Sequence, residues 1–179
     1  MVAVISGTNR PGSQTSVVAR FCMQWLAEHG IPAGLVELTS MNDLSVTPKQ
    51  FNSDHQDEVI KQTRDEILIP ANHWIVVSPE YNGSFPGILK WWIDLLSVKN
   101  RNTVFKNKKA SLIGVASGRA GNLRGMDHLT GVLHYLGMLV MPEKLPISKI
   151  EDLITSDGKV TPGLAFTLEK YLMDAFLEK

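Results

Sequence analysis

The chain predicts an α/β fold, with five parallel strands in one sheet and helices on both of its faces. Three observations carry this. Short apolar runs alternate with longer stretches whose apolar residues recur every three or four positions. Glycines and prolines stand where those longer stretches should stop or start. Three loops that leave strand ends carry unusual chemistry, and open sheets of this kind hold ligands beyond the carboxyl ends of their strands. Strand–helix alternation implies a parallel sheet buried on both sides, and right-handed crossovers place helices on either face.

The elements follow in order. "VAVIS", Val2–Ser6, reads as a buried strand. Residues 15–29 read as a helix, because Val18, Phe21, Cys22, Trp25 and Leu26 share one face and Gly30 supplies a stop. Residues 33–38 form a second strand. Residues 40–55 are polar and irregular, contain Pro48, and read as a long loop. A helix over 57–68 leads to a third strand at 73–78. Pro86 stands just ahead of a helix over 87–96, where a proline does no harm. Residues 110–116 are a fourth strand. A helix over 123–136 is closed by Gly137, and a fifth strand begins at 138–142. Leu168, Tyr171, Leu172, Ala175 and Phe176 place a last helix over 164–176. With 179 residues, one domain spanning 1–179 is the expectation.

Composition removes several function classes. Lys plus Arg equals Asp plus Glu, so the formal net charge is zero. That argues against nucleic-acid binding, which shows a basic excess. No apolar run is long enough to span a bilayer, and no basic stretch precedes an apolar one at the start, so a cytoplasmic location is expected. The single cysteine, Cys22, lies among Phe21, Met23, Trp25 and Leu26 and reads as a small core hydrophobe. The five histidines show no metal-binding pair at helical spacing.

The three loops narrow the chemistry. In the first, residues 7–16, Gly7 and Gly12 have the spacing of a triphosphate-binding loop, but Ser13 follows where a lysine is needed. No close pair of glycines admits a dinucleotide pyrophosphate. What remains is a hydroxyl-rich loop opening a helix, where free N–H groups and the helix dipole favour an anion. Thr8, Ser13, Thr15 and Ser16 can donate hydroxyl hydrogen bonds, and Arg10 can meet two phosphate oxygens at once. A terminal monophosphate suits that set; a plain helix cap at Ser13 is the simpler alternative. The second loop, residues 79–87, combines Pro79, Gly83, Pro86 and Gly87 with the flat apolar surfaces of Tyr81 and Phe85, which suits a planar heterocycle with polar edges. Glu80 has no carboxylate or histidine partner nearby in sequence, so it reads as structural rather than as a general base. The third loop, residues 117–125, is no nucleophile elbow, since Val115 and Arg119 stand where that motif needs glycines.

With these loops the chain resembles the NADPH-dependent FMN reductase family, whose fold is flavodoxin-like with three layers. The family's phosphate loop is matched by Gly7, Thr8, Arg10, Ser13 and Thr15. Its flavin-ring loop, P-x-Y-N-x-S-x-P-G-x-L-K-x-x-x-D, is matched by Pro79, Tyr81, Asn82, Ser84, Pro86, Gly87, Leu89, Lys90 and Asp94. The resemblance implies FMN as cofactor, with Thr8, Arg10, Ser13 and Thr15 on its phosphate. It implies Pro79, Glu80, Tyr81, Asn82 and Gly83 at the isoalloxazine edge, and Ser117 and Gly118 closing over the ring. It implies NADPH or NADH as co-substrate and a flavin, quinone or azo compound as acceptor, with the chain in a homodimer or homotetramer. An electron carrier or redox-sensing interaction protein that binds FMN without oxidising a nicotinamide is the alternative. Hydride transfer is the flavin's own chemistry, so no side chain is named as catalytic. One departure from the family stands out: Trp91 and Trp92 are adjacent on a helix. Neighbours point roughly 100 degrees apart, so both are not expected to face one core, and one is expected at a subunit interface.

Overall fold

The computed structural model of the protein describes residues 1–41 and 47–177. Its strands are β1 (Val2–Ser6), β2 (Ala33–Glu37), β3 (His73–Pro79), β4 (Lys109–Val115) and β5 (Leu139–Ile147). They form one sheet in the order β2-β1-β3-β4-β5, every neighbouring pair parallel. The helices are α1 (Gln14–Glu28), α2 (Glu58–Gln62), α3 (Gly87–Leu96), α4 (Arg101–Phe105), α5 (Leu123–Tyr135) and α6 (Pro162–Phe176). The fold is the flavodoxin-like α/β fold expected.

The period of two along a strand sends alternate side chains to opposite faces. Val2, Val4, Ile75, Val77, Ile113 and Val115 face α1 and α6, packing on Val18, Leu26, Leu168 and Leu172. Ala3, Ile5, Trp74, Val76 and Leu112 face α3 and α5, packing on Trp92, Leu96, Leu129 and Leu133. Both faces are covered, which is why the strands read as unbroken apolar runs. Each fully buried large aliphatic side chain contributes about 1.5–3 kcal/mol, so the two layers together hold the strand ends in place. Cys22 is fully buried in the α1 layer, and burial pushes its thiol up to about 12, as fits a core residue.

Four details differ from the sequence expectation or refine it. From Leu38 through the loop expected over 40–55, the described residues wind into tight turns at Leu38–Met41, Pro48–Phe51 and Ser53–His55; residues 42–46 lie outside the description. The helix expected over 57–68 changes pitch, since after Gln62 its turns widen and the Ile69 N–H reaches back five residues to the Arg64 carbonyl at 2.9 Å. The short helix α4 was not expected from the sequence. Strand β5 runs on to Ile147 through Pro142 and Pro146, which an edge strand tolerates. Residues 141–143 bulge there opposite Ser111 alone.

The two tryptophans, not expected to face one core, both pack on the same cluster. Trp92 is fully buried, 6.3 Å from Trp74 centre to centre, and Trp91 packs half-buried against the same cluster. Both indole nitrogens are buried without a hydrogen-bond partner. Both side chains touch one cluster, Trp92 as a buried member of it and Trp91 packed against it from outside.

Candidate functional site

Strand order reverses at β1. The chain leaves β1 for β2 on one side and returns to β3 on the other, so the loops after β1 and β3 part from adjacent strand ends and open a crevice. The first loop starts flush with the sheet: Gly7 N–H donates to the Val77 carbonyl at 2.8 Å. A Cβ on Gly7 would stand 3.0 Å from that carbonyl oxygen and from Leu89 Cδ2. Thr8 follows, fully buried, then the exposed run Arg10, Pro11 and Gly12, where Gly12 takes a φ of +67°. Ser13 caps α1, its hydroxyl accepting from Ser16 N–H at 3.4 Å. The N–H groups of Gln14 and Thr15, ahead of the first intrahelical bond, remain for a ligand.

The second loop is a tight hairpin. Tyr81 N–H donates to the Ser84 carbonyl at 2.8 Å, and Ser84 N–H returns to the Tyr81 carbonyl at 3.0 Å. Asn82 and Gly83 form its tip with φ of +52° and +77°, both left-handed, which an Asn-Gly pair adopts readily. Ser84 Oγ stands 2.9 Å from His128 Nδ1, fixing the hairpin to α5. The Glu80 N–H is committed to the Val115 carbonyl at 2.9 Å. With the Glu80 and Tyr81 N–H groups both committed within the protein, the N–H groups of Asn82 and Gly83 are the backbone donors left at this hairpin. The first two loops meet where Thr8 Oγ1 and the Tyr81 hydroxyl lie 2.8 Å apart.

The third loop is bolted to the segment after β5. Ser117 Oγ donates to Glu151 Oε1 at 2.5 Å, Ser148 Oγ donates to the Arg119 carbonyl at 2.6 Å, and Lys149 N–H donates to the Gly118 carbonyl at 3.2 Å. The Ser117 hydroxyl holds the Glu151 carboxyl below the usual carboxylate range. Deeper in this loop, buried Asn122 donates from Nδ2 to the Ser78 carbonyl at 2.9 Å and ties the loop to β3.

One cleft of about 260 Å³ joins these parts. Of the residues expected at a site, Thr8, Arg10, Ser13, Thr15, Pro79, Glu80, Tyr81 and Ser117 all line it. Asn82 and Gly83 lie at the hairpin tip and Gly118 at the outer turn; these three are not among the lining residues. Arg119 does not line the cleft either, and Arg124 sits instead beside the hairpin tip, its Nη1 3.8 Å from where a Gly83 Cβ would stand. Sequence reasoning missed Gln14, Ala116, Ile150 and Glu151. Gln14 stands directly beside the cap residue, so the helix start pointed to it. Glu151 follows a strand end, and the rule that ligands gather there was its only signal. The cleft is polarised: Arg10 and the α1 N-terminus stand at the first loop, and the Glu151 carboxylate stands at the third. It can orient a ligand with one anionic end and a planar body.

Comparison with known proteins agrees with this geometry. The family model described as NADPH-dependent FMN reductase matches residues 1–152. A 2-hydroxy-1,4-benzoquinone reductase from Burkholderia sp. is 28% identical over 179 residues, covering 99% of this chain and 92% of the relative. An FMN-dependent NADPH-azoreductase from Staphylococcus aureus is 26% identical over 157 residues, covering 87% of this chain and 80% of the relative. A flavoenzyme NAD(P)H:(acceptor) oxidoreductase from Paracoccus denitrificans superposes with a TM-score of 0.74 at 24% identity, covering 98% of this chain and 93% of that one. The match takes in all three loops of the cleft and every strand that carries them, and by it the chain belongs to the NADPH-dependent FMN reductase family.

Proposed function

We propose that the cleft holds FMN and that the protein is an oxidoreductase passing electrons from NADPH or NADH to a small acceptor. The observation that carries this reading is the convergence of the two motif loops on one cleft, joined at Thr8 and Tyr81. The residues fit the cofactor. Gln14 Oε1 is buried without a hydrogen-bond partner in the cleft lining, and a ligand bearing hydroxyl groups satisfies it. Thr8, Arg10, Ser13, Thr15 and the free N–H groups of Gln14 and Thr15 form a donor set for a phosphate.

FMN, when bound, supplies two-electron exchange with a nicotinamide and with an acceptor. The protein orients and shields it. Pro79, Glu80 and Tyr81 form one wall, and the hairpin tip offers Asn82 and Gly83 N–H groups for the edge of a ring that gains negative charge. Ser117 closes the other side, with Gly118 at the outer turn beyond it. Tyr81, Asn82, Ser117 and Gly118 are exposed, so one open face admits nicotinamide and acceptor in turn. Hydride transfer is the flavin's own chemistry and asks no side chain to move a proton. Quinones and azo compounds are the acceptors proposed, following the benzoquinone reductase and azoreductase relatives.

The chain is proposed to act as one domain in a cytoplasmic homodimer or homotetramer. Tyr135, 80% exposed beside the groove between α3 and α5, supports the assembly, and a monomer in sedimentation would contradict it. No helix among the described residues is long and apolar enough to cross a membrane. The site is tested by titrating FMN into wild type, Ser13→Ala and Arg10→Ala and following flavin fluorescence. Each variant is expected to weaken FMN by about tenfold, the worth of one charge-assisted hydrogen bond. Unchanged affinity in both variants would place the phosphate elsewhere.

A further inference from the structure

Thr8 is fully buried, so its hydroxyl must find its partners in the protein or in a ligand. Its Oγ1 accepts the Arg10 N–H at 3.3 Å and lies 2.8 Å from the Tyr81 hydroxyl oxygen. Among the described residues Thr8 is the one hydrogen-bond partner of that hydroxyl. Two proton arrangements satisfy the pair. If Thr8 donates to Tyr81, its single proton is spent, Thr8 offers an anion no donor, and the Tyr81 O–H is the donor left over. If Tyr81 donates to Thr8, Thr8 Oγ1 accepts twice and its own O–H is free to donate into the cleft. An anion beside Thr8 selects the second arrangement.

We propose that Tyr81 is a positioning residue for the phosphate end of the site, its O–H holding Thr8 as a donor. This inference rests on the reading of the cleft as an FMN site. It moves the role of Tyr81 from the ring edge to the phosphate, and it makes the effect of the Tyr81 hydroxyl depend on whether the ligand carries a phosphate.

Dissociation constants for FMN and for riboflavin, which lacks the phosphate, decide it. They are measured on wild type, Tyr81→Phe, Thr8→Val and the double variant. Tyr81→Phe removes one oxygen and keeps the ring. It is expected to weaken FMN about tenfold and to leave riboflavin within about twofold, so riboflavin also reports that the cleft is intact. On the Thr8→Val background, Tyr81→Phe is expected to cost FMN nothing more, because the two hydroxyls act as one unit. Equal losses for FMN and riboflavin would overturn the inference and return Tyr81 to the ring. Additive losses on the Thr8→Val background, or no change for either flavin, would overturn it too. If wild type binds neither flavin, the cleft reading falls first and this inference falls with it.

Discussion

His73 opens β3 with 5% of its surface exposed, its Nε2 2.9 Å from Ser111 Oγ and its ring against Phe176 at 4.5 Å. Burial, with the Lys109 charge adding to it, pushes its pKa down to about 4. In the unfolded chain the ring titrates near its ordinary value of 6.5. Between these values the unfolded state binds the proton and the folded state does not. Stability is therefore complete above pH ~6.5 and falls as pH drops towards ~4, by about 2 kcal/mol at pH ~5. Urea midpoints at neutral pH and near pH ~5 should show that loss in wild type and much less of it in His73→Gln; equal losses would contradict it. In the cleft, Thr8, Arg10, Ser13 and Thr15 were legible because their residue types match the needs of an anion at a helix start. Tyr81 was legible as a site residue, but its partner was not, because Thr8 lies 73 positions away. Glu151 and its bond to Ser117 left no local signal for the same reason.

Among the elements, the helices with one clear apolar stripe and a marked end were legible. The helix α3 has the expected bounds, and α1 and α5 end at Gly30 and Gly137, both at positive φ. The Asn-Gly hairpin had a sequence signal, since that pair favours a two-residue turn. The widened turns after α2 had none. Apolar spacing is almost the same for turns closing at four and at five residues, and the partner that ends this segment comes from elsewhere. Lys108, buried just ahead of β4, donates its ammonium to the carbonyls of Leu68 at 2.5 Å and Ile69 at 2.8 Å, and burial pushes its pKa down to about 8. Lys108→Met keeps the stem and removes the donor, which leaves two carbonyl groups short of a partner. It should lower unfolding stability by about 2 kcal/mol. Chemical denaturation measures this, and a variant as stable as wild type would show that water replaces the ammonium. The short α4 escaped notice because Arg101, Asn102 and Thr103 give it no apolar period.

At the scale of the whole molecule, the strand–helix alternation was legible because both faces of every inner strand are buried. The strand order was not: it depends on contacts between faces that single-sequence periodicity does not pair. Once the order places β1 between β2 and β3, the site follows, since the two motif loops then leave adjacent strand ends in opposite directions. The third loop completes it through glycines that let backbones touch. A Cβ on Gly114 would stand 2.2 Å from the Gly121 carbonyl oxygen, so β4 and the loop above it pack without a side chain between them. We propose that this assembled cleft holds FMN where it passes electrons from a nicotinamide to a small acceptor. The most direct measurement is the visible spectrum of the FMN-loaded protein without oxygen, first with NADPH added and then with a benzoquinone. The flavin bands are expected to bleach with NADPH and to return with the quinone. Bound flavin that keeps its bands with both NADPH and NADH would contradict the proposal and leave an electron carrier reduced by another protein.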